Sequence, residues 1–116
     1  MKPYLFVIKS TKLEECLSFY QSLGMELKEE SHEDGIIHYS AKFDGVVWEL
    51  YPTKQDESPS NNRLGFQLTD IQVADKTILA YIEKHAISAH DFGNGQHYVV
   101  MNDPDGRAVE IVYQQP

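Results

Sequence analysis

The chain has 116 residues, 41% hydrophobic and 24% charged, which suits one domain with a real core and lies far from the composition of disordered chains. Ten basic residues against eighteen acidic ones give a net charge of −8, and with no local basic patch this excludes a nucleic-acid binder, because a phosphate backbone is repelled. No apolar run approaches the roughly 18 residues of a membrane span, and Met1-Lys2-Pro3-Tyr4 leads straight into a strand-like stretch instead of a signal peptide, so a cytoplasmic protein is expected.

Residues 4–8 form a continuous apolar and aromatic run of strand length. Thr11 and Glu14 have the spacing of a capping box, and Leu13, Cys16, Leu17 and Tyr20 share one helical stripe ahead of Gly24, a residue suited to a helix end at positive φ. Cys16 stands alone, so it forms no internal disulfide, and Glu14 and Glu15 beside it oppose a reactive thiolate; core packing is its expected role. Residues 25–30 alternate apolar and charged, residues 31–35 are a polar turn, and residues 36–43 and 46–51 flank Asp44-Gly45, a strong hairpin signal. Residues 52–62 carry Pro, Ser and Asn without periodicity and read as a linker.

The order then starts again. Residues 64–68 predict a strand, Asp70 a helix cap, and Ile71, Ala74, Ile78, Tyr81, Ile82 and His85 a single second helix. Residues 87–92, 97–102 and 107–113 predict three further strands, separated by Gly93-Asn94-Gly95 and Asp103-Pro104-Asp105-Gly106. Both halves end on Asp-Gly, three residues, then Glu: Asp44-Gly45 with Glu49, and Asp105-Gly106 with Glu110, 61 residues on. Tyr20 and Tyr81, both expected in the core, repeat the 61-residue offset, and His38-Tyr39 and His97-Tyr98 stand 59 apart. A period near 60 predicts duplication of a strand-helix-strand-strand-strand unit. The expected fold is therefore α+β, with two repeated βαβββ modules forming a curved mixed sheet around a central cup. Module one covers residues 1–52, a linker 53–62, and module two 63–116, all within a single domain of residues 1–116.

Strand parity allows two arrangements of the repeated glutamates. In one, Glu49 faces the cup with Val47 and Tyr51 while Trp48 and Leu50 pack on a helix, and Glu110 faces it with Ala108 and Val112. In the other, both carboxylates face solvent. The larger apolar residues stand opposite the glutamates, which favours the inward arrangement. Arg107, just after a turn, is expected at the surface.

Leu17-Ser18-Phe19-Tyr20-Gln21-Ser22-Leu23-Gly24-Met25 and Asp103-Pro104-Asp105-Gly106-Arg107-Ala108-Val109-Glu110-Ile111 resemble, respectively, the helix end and last strand of the glyoxalase / bleomycin-resistance / extradiol-dioxygenase (vicinal oxygen chelate) superfamily. The resemblance spans essentially the whole chain. It implies four converging metal-ligand places in the metal-using members, which fall here at Leu5, Glu49, Leu64 and Glu110. Leucine offers no donor. The expectation is accordingly a protein with no metal and no cofactor that binds a small cationic or aromatic molecule in a cup lined by Leu5, Val47, Glu49, Tyr51, Leu64, Phe66 and Glu110, with Trp48 and Tyr98 as further rings, Trp48 more at home in the core. The alternative is a lyase or isomerase of the same superfamily in which Glu49 and Glu110 are catalytic, through acid/base chemistry or a divalent metal, with His38 and His97 as substitute ligands if they face the cup. Both histidines are otherwise expected between strands or at the surface. Related proteins are often dimers, and a homodimer is expected.

Overall fold

The alternation and helical stripes become eight strands and three helices among residues 1–115, the residues that the computed structural model describes. A first unit, Met1–Asn61, contains β1 (Leu5–Ser10), α1 (Leu13–Ser22), β2 (Lys28–Glu30), β3 (His38–Phe43) and β4 (Val46–Pro52). A second unit, beginning at Asn62, contains β5 (Leu64–Gln67), α2 (Asp70–Asp75), α3 (Thr77–Lys84), β6 (His90–Gly93), β7 (Gln96–Asn102) and β8 (Ala108–Gln114). Each unit has one four-stranded mixed sheet, ordered β1-β4-β3-β2 and β5-β8-β7-β6. In both, the first strand runs parallel to the last, and the remaining pairs are antiparallel. This is the repeated α+β architecture that the 60-residue period predicts. Pro116, the last residue of the expected second module, lies outside the described residues.

Local chemistry accounts for the turns. Asp44 (φ 46°) and Gly45 (φ 89°) both adopt left-handed backbone, the primed turn whose twist matches that of the strands it joins. Helix α1 does not use the expected capping box: Lys12 is its N-cap, without a side-chain cap bond. Ser10 at the end of β1 takes part of that role, its Oγ accepting from Lys12 N–H at 2.9 Å and donating to Cys16 Sγ at 3.3 Å. Cys16 and Tyr20 are wholly buried on the inner face of α1, and the Tyr20 ring meets Trp48 of β4 edge-on at 4.9 Å. One face of the first sheet thus carries Ile8, Tyr39, Trp48 and Leu50, all buried, with α1 packed on it.

The second helical stripe is broken, contrary to the single helix predicted. Thr69, not Asp70, caps α2 through a capping box with Gln72, and Lys76 turns left-handed (φ 66°) before α3 begins. The Asp75 carboxylate accepts from the Thr77 backbone N–H at 3.2 Å, so a side chain takes a donor that a continuous helix would have given to a carbonyl. Tyr81 is only half-buried and lies against His85. The linker is held, too: Ser60 accepts from Lys9 N–H through its Oγ (2.8 Å) and donates its own N–H to Lys9 O (3.0 Å), along the free edge of β1.

Arg107 corrects its expected surface position. It is 1% exposed, and its guanidinium pairs with the Asp103 carboxylate and lies 3.7 Å from that of Asp105. Asp103 Oδ1 also accepts from the backbone N–H groups of Asp105 and Arg107, each at 3.0 Å. The turn encloses an ion pair, and that pair stands at the start of β8, the strand carrying Glu110.

Candidate functional site

The register of the first sheet decides which side chains share a face. Ser40 pairs with Glu49 and Val7 with Glu49, so β3 contributes His38 and Ser40, β4 contributes Val47, Glu49 and Tyr51, and β1 contributes Leu5 and Val7 to one face; β2 adds Glu30 opposite His38. Trp48 and Leu50 lie on the other face against α1. Leu5, Val47, Glu49 and Tyr51, four of the predicted ligand-binding residues, therefore stand together on the face away from the helix.

Glu49 has a nitrogen neighbour in His38, which the sequence offers either as a substitute ligand facing the cup or as an interstrand or surface histidine. His38 is fully buried, with Nε2 3.3 Å from Glu49 Oε2 and 3.6 Å from Glu30 Oε2. Its ring stacks on Tyr51, centroids 4.0 Å apart and planes within 8°. Its Nδ1 stands 3.1 Å from the Ile36 carbonyl oxygen, which can only accept, so Nδ1 carries the proton. Nε2 faces the two carboxylates and has no hydrogen-bond partner among the described residues. Glu30 is steadied by Ser40, whose hydroxyl donates to Glu30 Oε1 at 3.0 Å. His32 follows in the turn after β2, its ring 4.9 Å from that of His38. One donor atom each from Glu30, His32, His38 and Glu49 lie within 4.8 Å of one another. The Tyr51 phenol is held above its ordinary range, by burial first and then by the negative charges of Glu49, Asp34 and Glu30.

Sequence reasoning missed Glu30 and His32, because alternation assigned residues 25–30 to a half-exposed strand and residues 31–35 to a polar turn. A shorter β2 paired with β3 brings both to His38. An open groove of about 480 Å3 adjoins Glu30, with Gly24, Lys28, Ser40, Lys42 and Phe43 among its walls.

The second unit is built differently. Gly65 and Val100 flank Glu110, so Leu64 and Phe66 lie on the opposite face, with Val109 and Ile111. Glu110 is ion-paired to the more exposed Arg63 at 2.8 Å. His97 pairs with Tyr113, also on the face away from Glu110, and the position matching His38 is occupied by Tyr98, opposite Val112. The 59-residue spacing of the two His-Tyr pairs is thus one short of the structural offset of 60, and a one-residue slip in a strand reverses the face.

A duplicated βαβββ unit with a carboxylate on each final strand defines a protein class, and sequence comparison names it. The chain belongs to the Glyoxalase/Bleomycin resistance protein/Dioxygenase superfamily, whose family model matches residues 6–111. No curated protein matches the chain significantly in sequence. Among solved structures, it is similar to the Oxidase ChaP-H2 (TM-score 0.71, 12% identity, covering 100% of this chain and 94% of that one). It is also similar to a glyoxalase/dioxygenase from Nostoc punctiforme (0.68, 20%, 99% and 92%) and to Lactoylglutathione lyase from Agrobacterium tumefaciens (0.60, 16%, 97% and 92%). These likenesses establish the fold. The four-place metal set implied by the superfamily resemblance does not fit this chain, because Leu5 and Leu64 bring no donor atom.

Proposed function

We propose that the protein binds a small molecule bearing a cationic or hydrogen-bond-donating group, with Glu49 as the residue that receives it. The observation carrying this reading is the state of Glu49: its side chain is 12% exposed, and no lysine or arginine among the described residues pairs with it. A carboxylate so placed, with an imidazole beside it and no lysine or arginine, favours a ligand that supplies positive charge or a hydrogen-bond donor. The stacked rings of Tyr51 and His38 offer an aromatic wall and Leu5 and Val47 an apolar one. Glu110, expected as the second acid of a shared cup, is the lesser contributor in this reading because Arg63 already neutralises it. This reading describes the chain without a bound metal or cofactor. Bleomycin-like cationic compounds are one ligand class of this kind, and a cytoplasmic homodimer remains the expected form; the exposed apolar run Leu5, Phe6, Val7 on edge strand β1 supports association.

The test is thermal denaturation against a panel of cationic and neutral aromatic compounds, with Glu49→Gln in parallel. A ligand present at a hundred times its Kd stabilises by about 2.7 kcal/mol, which raises Tm by on the order of 10 °C for a chain of this length. Absence of any shift across the panel, or a shift that Glu49→Gln leaves intact, refutes the reading.

The His38 to Glu49 contact favours a second reading, a lyase or isomerase in which this pair relays a proton. It predicts turnover that is lost in Glu49→Gln and in His38→Gln alike, with ligand binding retained in the latter.

A further inference from the structure

Two observations converge on the same corner of the first sheet. Four groups from β2, the turn after it, β3 and β4 bring donor atoms to one place, and the innermost of them, His38 Nε2, is buried and has no hydrogen-bond partner among the described residues. A buried nitrogen that faces two carboxylates without a hydrogen-bond partner is the arrangement a bound cation would complete.

We propose that Glu30, His32, His38 and Glu49 form a site for a divalent transition ion of the zinc class, contained wholly within the first unit. It is distinct from the four places of the superfamily resemblance, sharing with them only Glu49. The spacing suits an ion: donors bound at 2.0–2.1 Å in tetrahedral geometry lie about 3.3 Å apart. Nε2 of His38 is 3.3 Å from Glu49 and 3.6 Å from Glu30. Two imidazoles with two carboxylates are a borderline donor set, which suits zinc, cobalt or manganese better than calcium or magnesium. Supporting contacts are already in place. Nδ1–H of His38 donates to Ile36 O, which leaves Nε2 free to coordinate, the ring is clamped by Tyr51, and Ser40 orients Glu30. His32 is the exposed member, in a turn closed by Gly35 N–H donating to His32 O at 2.9 Å, and its ring nitrogen already lies within 4.8 Å of the other donors. With four protein groups of which one is exposed, a water or ligand atom can replace His32 without loss of the other three.

The full chain, untagged and stripped with chelator, is titrated with Zn2+ by calorimetry and with Co2+ by visible absorption. The proposal expects one equivalent bound with micromolar or tighter Kd and cobalt d–d bands of a four-coordinate site. His32→Ala and Glu30→Gln should each weaken binding at least about tenfold, Ser40→Ala by about tenfold, and His90→Gln not at all. His38→Gln should abolish binding; because His38 is a core residue, His32 and Glu30, at or near the surface, carry the decision. No saturable uptake, a Kd above about 100 μM, or uptake unaltered in both His32→Ala and Glu30→Gln overturns the proposal. No small molecule enters this experiment, so its failure leaves the ligand-binding role of Glu49 to be judged by its own test.

Discussion

Replacing Arg107 by methionine isolates what holds the start of β8. The guanidinium and the Asp103 carboxylate are both 0% exposed and Asp105 is 1% exposed, so none of the three charges is appreciably screened by water. Methionine keeps most of the side-chain volume and removes the charge, leaving the Asp103 carboxylate without its guanidinium partner while it still accepts from the backbone N–H groups of Asp105 and Arg107. Breaking a buried pair from one side costs about 3–5 kcal/mol, because the remaining charge is uncompensated. For 116 residues that corresponds to a fall in Tm of about 12–20 °C. The assay is thermal and urea denaturation followed by circular dichroism, on Arg107→Met, Asp103→Asn and the double variant. The double variant should be less destabilised than the sum of the singles by at least about 1 kcal/mol, since it removes both charges together. A loss below about 1 kcal/mol for Arg107→Met would sink the reasoning, as it would mean that the pair behaves like one at the surface.

Two further outcomes follow from the same geometry. The phenols of Tyr51 and Tyr39 have raised pKa values, by burial first and then by neighbouring acids, so in a spectrophotometric titration at alkaline pH both should ionise after the exposed tyrosines, and Glu49→Gln should move one of them back down. Because the folded chain retains these protons where the unfolded chain has released them, stability should fall as pH rises above the ordinary tyrosine value of about 10; a flat stability profile from pH 9 to 11 would contradict this. At the break between α2 and α3, Lys76→Gly should stabilise by about 0.5–1 kcal/mol, because a left-handed φ of 66° strains lysine and not glycine; a net destabilisation by chemical denaturation would show the Lys76 side chain to matter more than its backbone.

The amino-acid sequence by itself determined the duplicated α+β plan, the Asp44-Gly45 hairpin and the partition of β4 into a helix-packed face and a Glu49 face. Those features follow from local periodicity and turn chemistry, which a single strand or turn expresses without help from distant residues. Pairing register is another matter. His38 and His97 look equivalent in sequence, but β3 and β7 meet their partners at an offset of 60, so one imidazole lies against Glu49 and the other on the far face of its sheet. Leu64 and Phe66 were misplaced relative to Glu110 for the same reason. Glu30 and His32 read as solvated polar residues until β2 was laid beside β3. Arg107, expected at the surface, is buried, because burial depends on everything packed around a side chain and nothing in its own neighbourhood of sequence reports it. Local pattern thus determined the elements, and only tertiary structure decided which charges and imidazoles meet, because a one-residue shift between strands, invisible in either strand alone, reverses every side chain.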